Sequence, residues 1–163
     1  MVAYLSFGGK ADGESKVKGK EKWIEIEHWN WDVEAETSWT KGGGASVGSP
    51  NPGKLRFQHY FDSSSTVILG FICTGKVFPK VEIQMLKTTG GEQLQTWFTM
   101  MMEGVFITKV SNSSEEGSVK QNVEFVFKTV KIEYKPQNDK DNSLGAAKTY
   151  NWDIPAGTAS PSA

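Results

Sequence analysis

The sequence contains one cysteine and two histidines in 163 residues, and this scarcity excludes several kinds of site. A single cysteine allows no intrachain disulfide, and Cys73 follows an apolar run, so a buried core position is predicted for it. His28 and His59 have no cysteine or further histidine at a spacing typical of metal ligands. We therefore expect no metal or other cofactor, and interpret His59 as a hydrogen-bonded core residue.

Long apolar runs and an excess of one charge are also missing. The longest apolar run, residues 67–73, is far too short to span a bilayer, and no signal-peptide pattern opens the chain. The net charge is −1, without the basic excess of proteins that bind nucleic acid or membrane surfaces. No nucleophile lies beside a base in a recognisable motif. These features predict a cytosolic protein that is not an enzyme.

Alternating apolar residues dominate the rest of the chain and predict an antiparallel β protein. In residues 119–135 the apolar positions are odd up to Phe127 and even from Val130. Because strand side chains alternate with a period of two, this switch predicts a bulge or a bend between Phe127 and Val130. Such a strand is typical of a closed barrel or a tight two-sheet sandwich.

Residues 23–32 are predicted to form one strand in which isoleucines and tryptophans occupy opposite faces. Since both faces are partly apolar, the strand should be covered on both sides or meet a partner chain. His28 and Asn30 alternate with Trp29 and Trp31, so they point away from the face that those tryptophans occupy.

Two further segments are less regular. The apolar run at residues 67–73 fits a buried strand or a helix, with N-terminal cap candidates at residues 62–65 and a C-terminal cap at Gly75. Residues 37–53 form a long Gly-rich connection that also carries Trp39 and Val47. Connections of this length tend to be functional or disordered.

Several short motifs resemble, in the same order, those of the haemolysin-coregulated protein (Hcp) family, which forms the tube of the type VI secretion system. They are IEIEHWNW at 24–31, KLRFQHYFD at 54–62, TGKVFPKVEI at 74–83, KTTGG at 87–91 and FKTVKIEYKPQ at 127–137. The resemblance implies a mainly β fold with one helix at Ser63–Thr74, which decides the ambiguous segment. We expect a single barrel domain at 1–154 and a disordered tail at 155–163.

The resemblance also implies a function as a structural tube component. Hcp proteins form six-membered rings that stack head-to-tail, work with sheath and tip proteins, and carry small effectors in the channel. The chain would lie in the bacterial cytoplasm before export and be secreted without a cleavable signal. By this resemblance, the loop at 37–53 reaches a neighbouring subunit or ring with Trp39 and Val47 as anchors, while His28 and Asn30 are candidates to line the channel.

Two alternatives remain open from the residues alone. A β-sandwich that binds glycans through exposed tryptophans would use the six tryptophans of the chain. A tail-tube protein of a phage-like contractile particle would share the tube architecture. A solution mass would separate a hexameric ring from a monomeric glycan-binding module.

Overall fold

A computed structural model describes residues 2–40, 44–88 and 93–161, apart from the side chains of 39, 40, 45 and 46. Within these ranges the chain forms twelve strands and one helix. The elements are β1 (Val2–Ser6), β2 (Ile24–Ile26), β3 (His28–Asn30), β4 (Val33–Thr40), β5 (Gly44–Pro52), β6 (Leu55–Tyr60), α1 (Ser63–Thr74), β7 (Val77–Thr88), β8 (Leu94–Glu115), β9 (Ser118–Val126), β10 (Thr129–Tyr134), β11 (Lys148–Asp153) and β12 (Thr158–Ser160).

The main sheet curls around the long strand β8 and closes into a barrel. The first half of β8 pairs with β7 and β10, and its second half pairs with β9. One arm continues from β7 through β1 to β2, and the other continues from β9 through β6 to β3. The arms meet where the backbone N–H of Glu27 donates to the carbonyl of Gln58 at 2.9 Å. This architecture confirms the predicted mainly β fold with one helix.

Apolar side chains from both arms fill the barrel. Phe7 lies near its centre, with its ring centre 4.3 Å from that of Phe78 and 6.2 Å from that of Phe57. The largest side chains in this core are fully buried: Phe7, Phe57, Phe78, Phe125, Leu5, Ile24, Leu55, Ile68, Ile83, Met100 and Met102.

The predicted change of buried face in residues 119–135 is present, but no extra residue produces it. Val126 pairs with Phe106 and Thr129 pairs with Glu103, so two residues lie between these pairs on each strand. The register therefore passes through the irregularity unchanged. Between β9 and β10 the strand is interrupted at Phe127 and Lys128, within the predicted interval.

Three neighbouring strands change their buried face along one line, which we call the fold line and define by Pro79, Gly104 and Lys128. In β8 the buried side chains change from even to odd positions across Gly104, which has a φ of 64°. Such a φ strains any residue with a Cβ atom. The backbone N–H of Lys128 donates to the carbonyl of Glu103 on the neighbouring strand β8. The sheet bends as a unit, so both halves of each strand face the core. The paired positions are Met102 and Val105 in β8, Phe78 and Val81 in β7, and Phe127 and Val130 beside β9 and β10.

Residues 23–32 form two short strands, which corrects the predicted single strand. A bend at Glu27 separates β2 from β3 and switches the inward positions from even to odd. Ile24 is fully buried on β2, whereas Trp29 on β3 stacks against Phe98 with 5.4 Å between ring centres. The isoleucines, Trp29 and Trp31 face one core, so no second covering layer is needed to explain them. Trp23 lies outside this core, with Nζ of Lys20 4.7 Å from its ring centre.

Helix α1 is present at the predicted residues. Asp62 caps its N-terminus in a capping box with Ser65, and Gly75 ends it in the left-handed conformation with a φ of 66°. Its buried side is narrow, because Ile68 is the one apolar helix residue that is fully buried, and Phe71 stacks on Phe78 at 3.9 Å.

Two predictions for buried residues had different outcomes. Cys73 is exposed, not buried, because the last turn of α1 carries it away from the sheet. His59 is fully buried, as predicted, and its Nε2–H donates to Oε1 of Gln121 at 2.7 Å. An apolar run alone does not show which side of a helix meets the core.

The C-terminal segment differs from the expected disordered tail at 155–163. β12 pairs antiparallel with β11, with Trp152 opposite Ala159. Backbone hydrogen bonds from Gly157 to Asp153 and Ile154 form the turn between the two strands. The open edge of β11 supplies hydrogen-bond partners that compensate for the weak strand propensity of this sequence.

Candidate functional site

A polar surface, which we call the polar face, covers the outside of β3, β6, β9 and β8. Strand register aligns its side chains in two rows across the four strands. The first row is His28, Gln58, Asn122 and Ser111, and the second row is Asn30, Arg56, Glu124 and Lys109.

The predicted channel candidates His28 and Asn30 are exposed and stand side by side on this face. They line a shallow depression of about 420 Å³ together with members of both rows. Glu124 pairs with Arg56 and lies 4.0 Å from Nζ of Lys109. Exposed pairs of this kind contribute about 0.2–1 kcal/mol each, so the network orients side chains more than it stabilises the fold.

The reverse side of the same strands is apolar. Trp29, Phe57 and Val123 occupy one register row there, between the two polar rows, and pack into the core. This alternation confirms that His28 and Asn30 lie opposite the tryptophans. The other six members of the polar face come from segments far apart in the sequence, so alternation within one strand did not reveal them.

The predicted loop at 37–53 is largely a β-hairpin. β4 and β5 pair with each other and, within the described residues, with no strand of the main sheet. Two-stranded hairpins are at best marginally stable in water, so a hairpin that stands apart from the core needs further contacts.

The base of this hairpin is fastened to the barrel. Trp31 donates its indole N–H to the carbonyl of Gly53 at 3.1 Å, and its ring packs against Phe127 and Trp152. A Cβ atom at Gly53 would lie 1.8 Å from Oδ1 of Asp32, so that position requires glycine. Sequence reasoning assigned Trp31 to a strand face and missed its role as the anchor of the hairpin base.

The predicted contact residues lie on this hairpin. Val47 is 70% exposed, so its side chain is open to contact with a neighbouring chain. Trp39 lies opposite Ala45 in the hairpin register, and its side chain lies outside the described residues. Gly42 and Gly43, and the two glycines of the KTTGG motif, Gly90 and Gly91, also lie outside them.

Comparison with known proteins identifies the family. The family profile described as "Type VI secretion system effector, Hcp" matches residues 4–134, most of the chain. The chain belongs to the Hcp family. The match confirms the sequence prediction of a type VI secretion tube protein and agrees with neither the glycan-binding nor the phage-particle alternative.

Individual relatives agree with this assignment. Protein hcp1 of Pseudomonas aeruginosa is 29% identical over 148 residues, which cover 90% of this chain and 91% of that protein. The crystal structure of Hcp1 from Salmonella typhimurium superposes with a TM-score of 0.76 at 24% identity, over 97% of both chains. A structure described as a type six secretion system protein gives a TM-score of 0.85 at 21% identity, over 97% of this chain and 98% of that one. At these identities the two structures support the fold.

The family is one of structural, secreted proteins and is not a known enzyme family. Within the described ranges, no group of three or more histidine, cysteine, aspartate or glutamate side chains is arranged to hold a metal ion. In the same ranges, no helix is both long and apolar enough to cross a bilayer.

Proposed function

We propose that this Hcp protein forms six-membered rings that stack head-to-tail into a secretion tube. The observation that carries the proposal is the β4–β5 hairpin, which stands apart from the main sheet and exposes Val47. Within the described residues, β4 and β5 pair with no strand other than each other, so their outer edges are open to a neighbouring chain. Contact with a neighbouring ring covers these edges and buries the exposed valine, with Trp39 as the second anchor.

The polar face lines the channel in this proposal. Its eight side chains include donors, acceptors and charges of both signs, which suits transient contact with varied cargo better than tight binding of one ligand. His28 and Asn30 stand on β3 at one end of the two rows and would contact small effectors together with the other members of the polar face. The barrel has a structural role without catalysis, and its wider partners are the sheath and tip proteins of the secretion system.

We further propose that the chain functions as one domain, folds in the bacterial cytoplasm and leaves the cell through the tube machinery without a cleavable signal. Expression with an N-terminal tag tests this route. A secreted protein that still carries the complete tag supports export without processing, whereas loss of an N-terminal segment on export contradicts it.

The assembly is tested by native mass spectrometry and by electron microscopy of the purified chain. A sixfold mass and end-on ring images with a central channel support the proposal. A monomer at high concentration, or a ring of another size, contradicts it. Removing residues 38–46 should abolish stacking of rings while the rings themselves persist.

A further inference from the structure

Outside the hairpin, Leu94 and Tyr134 are exposed singly, and the other large exposed apolar side chains form two groups at the ends of helix α1. At its N-terminal end, Tyr60 is 52%, Phe61 42% and Val119 40% exposed. Val119 adjoins them because its carbonyl accepts the backbone N–H of Phe61 at 2.8 Å. These three neighbouring apolar side chains form one exposed patch. Contiguous apolar patches of this kind are typical of sites that bind another protein.

Carboxylates surround this apolar group. A groove of about 680 Å³ runs beside Tyr60 and Phe61, and Glu14, Glu25 and Glu27 contribute to its walls. We call these six residues the acidic patch: Tyr60, Phe61, Val119, Glu14, Glu25 and Glu27.

The charge of the acidic patch is only partly compensated. Lys120 lies 3.6 Å from Glu27 but also contacts Glu115 at 3.3 Å. Within the described residues, Glu25 has no ion-pair partner, and Glu14 accepts only the backbone N–H of Ser63. Nζ of Lys120 also lies 5.4 Å from the ring centre of Tyr60, so this ring already holds a cation. Glu14 and Glu25 are therefore the carboxylates that a cationic side chain of a partner would meet.

At the C-terminal end of α1 the exposed group is basic. Val77 and Phe106 are register partners on β7 and β8 and are 39% and 37% exposed. Lys76 and Lys128 flank them, and Nζ of Lys128 lies 6.0 Å from the ring centre of Phe106. Neither lysine has a carboxylate within ion-pair distance in the described part of the chain. We call these four residues the basic patch.

The two patches complement each other but lie too far apart to meet in one molecule. α1 has twelve residues, so about 18 Å of helix separates its capping residues Asp62 and Gly75. A symmetric dimer through either patch would place like charges together, which costs free energy. Complementary patches at different places on one surface instead produce head-to-tail contacts, which close into a ring when the rotation permits.

We propose that the acidic patch of one copy binds the basic patch of the next copy and that this contact joins the subunits of the ring. The inference rests on the proposed ring assembly and names the two surfaces that build it. Lys76 and Lys128 enter the acidic groove, and Val77 and Phe106 cover Tyr60 and Phe61.

A charge-swap experiment tests this pairing. Glu25→Lys with Glu27→Lys makes the acidic patch basic, and Lys76→Glu with Lys128→Glu makes the basic patch acidic. Each double variant then presents like charges at both of its surfaces, so we expect each to remain monomeric by native mass spectrometry. An equal mixture restores every contact, but only when the two variants alternate around a ring with an even number of subunits.

The expected result is therefore a ring in the mixture that contains equal numbers of the two variants, counted by mass after one variant is uniformly labelled with heavy nitrogen. Glu21→Lys with Asp139→Lys is the matched control, because both residues are exposed in loops outside the patches. It should form rings as the wild type does. Far-UV circular dichroism of each variant confirms that the monomers are folded.

Two results would overturn the inference. Rings formed by each swapped variant alone show that other surfaces join the subunits and that a different occupant fills the acidic groove. Folded variants whose mixture stays monomeric contradict the pairing. If the wild type forms no ring, the proposed function fails. The pairing is then tested by binding affinity: the two variants should bind each other at least tenfold more tightly than either variant binds a second copy of itself.

Discussion

At the scale of single residues, the most constrained polar group is the one that joins helix α1 to the barrel. Gln121 accepts from His59 through its side-chain oxygen and donates through its side-chain nitrogen to Asn112 at 3.0 Å and to the carbonyl of Ser65 at 3.4 Å. Nδ1 of His59 faces Oδ2 of Asp62 at 3.7 Å, longer than a hydrogen bond. A side-chain network therefore fixes both the start of α1 and its position on the sheet.

Asp62 supplies the first testable prediction. Burial opposes ionisation of its carboxyl group, but His59 and the donors of Ser64 outweigh burial and lower its pKa. A lowered carboxyl pKa gives stability that is present above the ordinary pKa of aspartate and is lost as the pH falls through the lowered value. Asp62→Ala should cost about 0.5–2 kcal/mol at pH 7 in urea unfolding, because it also removes the helix cap.

Asp62→Asn is the matched control, since asparagine caps a helix well but carries no charge. Its free energy of unfolding should fall below that of the wild type at neutral pH and approach it in acid, where Asp62 becomes protonated. A constant difference between Asp62→Asn and the wild type from pH 7 to pH 3 would contradict the role of the charge.

Asn30 supplies a prediction about cargo. Asn30→Trp places a bulky side chain on the polar face without touching the core, so the ring should form normally and co-purification of a bound effector should fall several-fold. Lys148→Trp adds the same side chain at an exposed position on β11, outside the polar face, and should carry effectors as the wild type does. If both variants carry as much effector as the wild type, Asn30 does not line the channel.

At the scale of elements, the fold line explains how one sheet surrounds a core. Gly104 combines a φ of 64° with close contact to Lys128, where a Cβ atom would lie 2.9 Å from Cδ of that side chain. The lysine stem is flexible and is able to move, whereas the backbone conformation remains strained for any L residue. A residue other than glycine at position 104 would therefore be destabilised mainly by its backbone conformation and less by contact with Lys128.

Gly104→Ala should accordingly lower the free energy of unfolding by about 1–2 kcal/mol, measured in urea. Combining it with Lys128→Ala should recover little of the loss, since the contact is removed but the left-handed conformation is not. Gly70→Ala is the control: it lies in α1 with open space around it and should stabilise the helix by up to about 1 kcal/mol. Full recovery in the double variant would show that crowding, not backbone strain, is the cause.

At the scale of the whole molecule, the barrel and the hairpin have separate tasks. The barrel has its own buried core, and the hairpin is joined to it mainly at Trp31 and Gly53. A change in the hairpin should therefore alter assembly without altering the fold of the barrel.

Trp39→Ala tests this separation. It should weaken the stacking of rings into tubes, and secretion with it, while the far-UV spectrum and the ring mass stay as in the wild type. Shortening the glycine run at 42–44 should be less harmful, because glycine contributes no side chain to the contact. Leu94→Ala, which truncates another exposed apolar residue, serves as the control. If rings of Trp39→Ala stack as those of the wild type do, Trp39 is not part of the contact between rings.

Much of the fold was predictable because its signals are local. The helix has a capping aspartate and a terminal glycine at its ends, and the strand before Phe127 and after Val130 shows its buried positions by alternation. The polar face was predictable only in part. The exposed positions of His28 and Asn30 were predicted from their alternation with tryptophans. Arg56 and Glu124 lie beside them because of strand pairing between distant segments, which the sequence pattern does not show.

The sequence by itself determined the strand periodicity, the cap candidates at both ends of residues 63–74, the place of the face switch and, through the order of its motifs, the family. The resemblance to that family then decided that residues 63–74 form a helix. The tertiary structure alone decided that the switch at Phe127 is part of a bend shared by three strands, that residues 155–163 include a paired strand, and that Cys73 is exposed. It also decided that Ile24 and Trp29 face the same core. The physical reason is that periodicity reports which residues share a face of one element, whereas pairing between strands determines where that face points.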